Sequence, residues 1–143
     1  MVENTYYLDT SIWLDYYLER EENGKNALKL ILKIINDKSV IIFSNFVKVE
    51  LKHIGLSKTE INSLLQIIKP DHIRRVQVTN NQIQESKKLA QLRGVPLGDA
   101  IHAILARDHE AQFVSRDKDF ERLKDITLTK KPEDLLFLSE VNT

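Results

Sequence analysis

The spacing of apolar positions changes between a strand period and a helix period along the chain, and each change marks an element. Residues 2–9 form a short apolar and aromatic run in which Tyr6, Tyr7 and Leu8 leave neither face polar, as in a central parallel strand. Ile12, Trp13, Tyr16 and Tyr17 then recur at helical spacing, with Thr10 or Ser11 placed to cap the start. Residues 19–24 are polar and read as a break. Residues 25–36 resume as a helix with Leu28, Ile31, Leu32 and Ile35 on one stripe. The run 40–43 is wholly apolar and rich in β-branched residues, which predicts a buried strand.

Ser44 or Asn45 caps the next helix, whose inner face carries Val47, Leu51 and Ile54 and which stops at Gly55. Ser57 to Glu60 fits a capping box and opens a helix with Ile61, Leu64, Leu65 and Ile68 on one side. After a turn at Pro70-Asp71, residues 73–78 alternate as a third strand. Thr79 to Gln82 is a second capping box, opening a helix that ends at Gly94. Beyond a loop over residues 94–98, Ala100, Ala103, Ile104 and Ala106 mark an apolar helix. Residues 112–115 give a fourth strand and residues 126–129 a short edge strand. Pro132-Glu133-Asp134 opens a last helix. Strands separated by helices predict an α/β fold: a mostly parallel central sheet of four to five strands, sandwiched by helices in three layers. With no linker, repeat or low-complexity tract, residues 1–143 read as a single domain.

Composition narrows the chemistry. Hydrophobic residues make up 42% and charged residues 29%, the balance of a globular rather than a disordered chain. Cysteine is absent, which excludes a disulfide framework, a thiolate metal site and a cysteine nucleophile. No basic segment leads into an apolar core at the N-terminus, and no run has the length of a membrane span, so a cytoplasmic protein without a membrane anchor is expected. With 21 basic and 21 acidic residues the formal charge is zero, which argues against nucleic-acid binding through bulk charge and leaves room for a local basic patch.

Four acids stand where such a fold keeps its sites. Asp9 and Asp117 each fall just past a predicted strand, so both belong to the carboxyl edge of a parallel sheet. Asp99 opens the helix that precedes the strand leading to Asp117, and Glu50 lies about two turns into the helix after the second strand. Four carboxylates brought together repel one another unless a cation neutralises them or their pKa values rise. A hard divalent ion with oxygen ligands, Mg²⁺ or Mn²⁺, suits such a cluster. The site then supports hydrolysis of a phosphodiester: a bound water loses its proton and attacks in line, and a second ion about 4 Å away stabilises the leaving oxygen. Thr10, Ser11 and Ser115 are placed to orient a carboxylate or a water. Taken singly, the same acids have ordinary readings: Asp99 as a helix-start residue, Glu50 as a solvent-facing one, Asp9 and Asp117 as caps or turn residues. Asp119 competes with Asp117 and ranks below it as a ligand, and Asp15 is expected to be exposed.

The stretches LDTSIWLDYY, SNFVKVEL, LGDAIHAILA and FVSRDKDF resemble, in order and spacing, the four acidic motifs of PIN domains, and most closely those of VapC-like toxins of toxin–antitoxin modules. The resemblance spans about residues 6–120. The second motif, centred on Glu50, is the weakest alone. The resemblance implies a PIN-like sheet between helices and a Mg²⁺-dependent endoribonuclease acting on RNA. In it Asp9, Glu50, Asp99 and Asp117 form the catalytic acidic quartet, with Asp9, Asp99 and Asp117 as metal ligands. It also implies a homodimer and a cognate antitoxin. Two other readings remain beside it: a stand-alone RNA-processing PIN nuclease, and a PIN-like module that binds RNA or protein without cutting.

Other residues suggest lesser roles. His102 and His53 each lie three residues past an acid, and packing or support of the site is expected of both rather than metal ligation. No His pair has zinc-site spacing. Trp13, Tyr16 and Tyr17 read as core or a dimer contact before base stacking. Arg116 and Lys118 flank Asp117 and are candidates for phosphate contacts. Together with Lys48, Lys52, Arg93, Arg107 and Arg122 they offset the acids toward an anionic substrate.

Overall fold

The short apolar runs become the middle of a sheet. A computed structural model of the chain describes residues 4–141, so Val2, where the first strand was expected to begin, lies outside the described residues. Strands β1 (Thr5–Leu8), β2 (Val40–Ser44), β3 (Ile73–Val76), β4 (Gln112–Val114) and β5 (Thr129–Lys130) lie in the order β3-β2-β1-β4-β5, and every neighbouring pair is parallel. All of β2 is buried, as are Tyr7 and Leu8 of β1, which is what a strand covered on both faces requires. The chain first runs outward through β1, β2 and β3, then returns to place β4 and β5 on the other side of β1. Strand order therefore reverses between β1 and β4, the point at which an open parallel sheet is expected to leave a crevice at the carboxyl ends.

The helices are α1 (Thr10–Tyr17), α2 (Glu21–Asn36), α3 (Asn45–Ile54), α4 (Lys58–Leu65), α5 (Asn80–Arg93), α6 (Leu97–Asp108) and α7 (Pro132–Val141). They flank the sheet in the expected three layers, with α1, α2 and α7 packed together and α5 packed on α6. Both capping boxes form, at Ser57–Glu60 and Thr79–Gln82, and Gly55 and Gly94 end their helices in the left-handed region.

The structure differs from the sequence reading at several elements. The break after α1 is only residues 18–20, and Gly24 lies inside α2: a Cβ there would stand 2.6 Å from the Asp15 carbonyl oxygen, so glycine lets the start of α2 cross the end of α1. The buried stripe of α2 is Ala27, Leu30, Ile31 and Ile34, while Leu28 and Leu32 are 36% and 43% exposed. Both stripes satisfy the helical period, and the small Ala27 gives the weaker signal although it faces the core. Ile54 is 56% exposed rather than on the inner face of α3. Strand β3 stops at Val76, and the Val78 amide donates instead to the Asn45 side chain at 2.9 Å. The edge strand begins at Thr129, because Ile126 and Thr127 donate their amides to the Leu123 carbonyl in a turn.

Candidate functional site

The sheet ladder runs one rung past its strands, into the site. The Asp9 amide donates to the Val114 carbonyl at 2.9 Å, and the Ser115 amide to the Lys130 carbonyl at 3.0 Å. Asp9 itself, not Thr10 or Ser11, takes the N-cap position of α1, yet its side chain caps nothing. Its Oδ2 accepts instead from Ser115 Oγ at 2.8 Å and Ser11 Oγ at 3.2 Å. Ser115 Oγ also accepts the Asp117 amide at 3.1 Å, so one hydroxyl ties the carboxyl end of β1 to the loop after β4. Thr10 reaches a different acid, donating to Glu50 Oε1 at 2.6 Å.

Asp99, in the first turn of α6, comes together with Asp117 and Asp119. Each offers a carboxylate oxygen, and the three oxygens lie within 4.8 Å of one another. Asp119, ranked below Asp117 from sequence, is thus inside the compact group. Asp9 stands outside it but close enough for its charge to be felt. Burial, then the carboxylates of Asp117 and Asp9, and to a lesser degree Asp119, push the Asp99 carboxyl up to about 6 against the pull of His102. A carboxyl raised by its neighbours marks a place short of positive charge. An all-oxygen donor set of this kind fits a hard divalent cation.

Glu50 is held from below. Its Oε1 accepts from Thr10 and lies 2.6 Å from His102 Nε2. His102 is 2% exposed, and its Nδ1 lies 2.8 Å from the Tyr7 hydroxyl, which lies 2.9 Å from Ser44 Oγ. Ser44, the N-cap of α3, accepts the Val47 amide at 3.0 Å. Burial pushes the Glu50 carboxyl up, but the hydrogen bond and proximity of His102 and the hydrogen bond of Thr10 outweigh it and hold the group below its ordinary value. Burial drives the Tyr7 phenol far above its usual range, so it stays a neutral hydroxyl. His102 Nε2 is also 3.8 Å from Asp9 Oδ1, so Glu50 and Asp9 face the same ring nitrogen. The helix α6 approaches closely here: a Cβ on Gly98 would lie 3.3 Å from Glu50 Oε2. His53, by contrast, is exposed and takes no part.

The basic residues divide. The Arg116 guanidinium is held in ion pairs: Nη1 donates to Glu133 Oε2 at 2.7 Å and Nε stands 3.6 Å from Asp15 Oδ2. Asp15, expected at the surface, is buried and also accepts from Arg20 at 3.3 Å. Arg93 is bound to Asp125 and Arg107 to Glu85 and Asp108. Lys118, Lys124 and Lys131 line a cleft of about 630 Å³ that starts at Ser115 and Asp117. Trp13 is in the core, edge-on to Phe43.

A family model described as PIN domain matches residues 6–126. The chain belongs to the PIN-domain family. No curated protein sequence matches it. Among solved structures the PIN fold is similar to VapBC2 from Rickettsia felis bound to a DNA fragment from their promoter, with a TM-score of 0.63 and 20% identity over 89% of this chain and 98% of that one. A toxin–antitoxin complex from Klebsiella pneumoniae matches with a TM-score of 0.56 and 20% identity over 89% and 97% of the two chains. FitAcB from Neisseria gonorrhoeae matches with a TM-score of 0.58 and 16% identity over 88% and 96%.

Two parts of this PIN site escape a reading by position. Asp119 is turned back because the Asp117 carboxylate accepts its amide at 2.9 Å, and the Asp-Lys-Asp spacing was the available signal for that turn. Tyr7 reads as an apolar strand residue, and only the rule that a buried phenol finds a partner hints at its role.

Proposed function

We propose that this chain is a divalent-metal-dependent endoribonuclease and the toxin of a toxin–antitoxin module. The observation that carries the reading is the group of Asp99, Asp117 and Asp119 at the carboxyl edge where strand order reverses, with Asp99 raised to about 6 by its burial and by its acidic neighbours, Asp9 among them. Membership of the PIN family supports the nuclease chemistry. The solved toxin–antitoxin complexes of the same fold support the partner.

Asp9, Asp99 and Asp117 would hold Mg²⁺, or Mn²⁺ in its place, with Asp119 as a further carboxylate. When bound, the ion supplies a water of lowered pKa and neutralises charge on the scissile phosphate. Ser11 and Ser115 keep the Asp9 carboxylate turned into the crevice, and Thr10 and His102 do the same for Glu50. Glu50, held ionised, accepts a proton from the attacking water or orients it. Lys118, Lys124 and Lys131 offer cations to an RNA backbone in a cleft that also carries Asp117, Glu121 and Asp134, with Lys124 paired to Glu121. In this reading residues 1–143 act as one cytoplasmic domain, as a homodimer that a cognate antitoxin inhibits.

The test is cleavage of total RNA with and without Mg²⁺, mapping the ends produced. The wild type is expected to cut only with the ion, and Asp9→Asn, with an unchanged circular-dichroism spectrum, to lose at least about a hundredfold in rate. A folded Asp9→Asn protein that cuts as fast as the wild type sinks the mechanism. An adjacent small reading frame whose product blocks the cleavage is the expected sign of the antitoxin.

A further inference from the structure

Glu50 lies in a ten-residue helix with one carboxylate oxygen bonded twice and, among the described residues, no hydrogen bond to the other. What holds the bonded oxygen is a line of polar groups that an apolar core would otherwise exclude. We propose that Ser44, Tyr7 and His102 form a buried, directionally ordered hydrogen-bond chain that fixes Glu50 at the acidic crevice, with Oε1 tied and Oε2 left free beside Gly98. Tyr7 and His102 are thereby positioning residues for Glu50.

The direction follows from the donors. The Val47 amide has one proton, and it goes to Ser44 Oγ at 3.0 Å. Ser44 Oγ, having accepted, donates its own proton to the Tyr7 oxygen at 2.9 Å. The Tyr7 hydroxyl then donates to His102 Nδ1 at 2.8 Å. An imidazole that accepts at Nδ1 carries its proton on Nε2, and Nε2 faces Glu50 Oε1 at 2.6 Å. Every hydroxyl in this line both gives and receives. Reversing it makes Tyr7 donate to Ser44 and strands the Ser44 proton in a site that is 0% exposed. The other neutral tautomer sets a ring lone pair against a carboxylate lone pair, which is repulsive at this distance.

The packing admits this chain and little else. Tyr7 and His102 are edge to face at 5.5 Å, Phe46 closes on His102 at 5.0 Å, and Phe113 stacks on its far side at 6.4 Å. The imidazole thus sits between aromatic rings in one plane, with its two nitrogens aimed at two fixed oxygens. The line starts at the first turn of α3, crosses β1 and α6, and returns to α3 at Glu50, so the acid is set by three elements rather than by its own rotamer.

The tautomer follows from the hydrogen bonds alone, whereas the effect on cleavage rests on the nuclease reading. The experiment therefore has two arms. Correlation of ring nitrogens with ring protons in ¹⁵N-labelled protein, with His102 assigned by its loss in His102→Gln, is expected to show a proton on Nε2 and an accepting Nδ1. In Tyr7→Phe the Nδ1 resonance moves as its hydrogen bond is lost. In the second arm, Mg²⁺-dependent RNA cleavage by Tyr7→Phe falls about 10- to 100-fold in kcat with KM little changed, the usual effect of losing a support behind a metal site. His102→Gln, whose amide offers a donor and an acceptor side by side, stays at least about tenfold more active than the apolar His102→Leu. A His102 protonated at Nδ1 in the wild type overturns the chain, as does a folded Tyr7→Phe with wild-type kcat and an unmoved Nδ1 resonance. If Tyr7→Phe does not fold, the Gln and Leu variants at His102 make the same comparison. A wild type that cuts no RNA removes the nuclease reading, and the ring-nitrogen spectrum still decides the chain.

Discussion

Asp99 shows how a single side chain can be set against the fold that holds it. Its carboxyl moves from an ordinary 3.8 to about 6 in the folded chain, so between roughly those two values the folded state holds a proton that the unfolded state has released. Stability should therefore rise as pH falls from about 6 toward 4 and carry the full penalty of the ionised group above 6. In a chelator, Asp99→Asn is expected to melt higher than the wild type at pH 7 and to lose that advantage near pH 4. Calorimetric scans at the two pH values check this, and equal shifts at both would show that ionisation of a buried Asp99 among other acids is not the cause. The wider lesson at this scale concerns what position can reveal. Asp9, Asp99 and Asp117 were visible as acids at strand ends and a helix start, and Glu50, two turns into its helix, only through the motif it centres. That Asp119 joins the compact group was not visible, because its direction depends on one hydrogen bond from its own amide to Asp117. Tyr7 was read as apolar core because its hydroxyl is a single atom on a side chain that otherwise packs like phenylalanine.

At the scale of elements, one ion-pair group joins three parts of the chain. Arg116 leaves the loop after β4, meets Asp15 on α1 and binds Glu133 in the first turn of α7. The group is imperfectly satisfied, since Arg116 Nε and Nη2 and Glu133 Oε1 are buried without hydrogen-bond partners. Removing the cation from such a group uncovers Asp15, which is largely buried. Arg116→Met, which keeps the aliphatic stem, is expected to lower unfolding free energy by about 1–3 kcal/mol. Urea titration measures it, and an unchanged midpoint would mean that packing rather than charge seats α7. Sequence could not show this group, because Asp15 is six residues past Asp9 and looked like a surface acid, and Arg116 beside Asp117 looked like a hand for phosphate. Helix boundaries were legible wherever a cap residue or a glycine fixes them. The face of α2 was not, because its apolar arc is wide enough to hold two stripes of equal period.

For the whole molecule, the succession of strands and helices was enough to give a parallel sheet between helix layers. The order β3-β2-β1-β4-β5 was not in the local pattern, since nothing in residues 77–111 states on which side of β1 the chain returns. That return gathers the acids, and under the proposed function it makes the folded chain a receptor for cations. Mn²⁺ at about 100 times its dissociation constant should add about 2.7 kcal/mol to stability and raise the melting temperature roughly 5–10 °C. Asp99→Asn should lose most of the rise, and a wild type with none binds no ion in the folded state. The extra rung of the ladder has a further consequence, seen in isotope exchange. The Asp9 amide is bonded to Val114 in the middle of the sheet, so its deuterium uptake should follow only opening of the entire molecule. The Ser115 amide hangs on the two-residue β5, and the Asp119 amide on a side chain at the surface, so both should exchange through small local openings. One wall of the crevice is then slow and the other quick, and a bound cation should slow uptake at Asp117 and Asp119 while leaving Asp9 as it was.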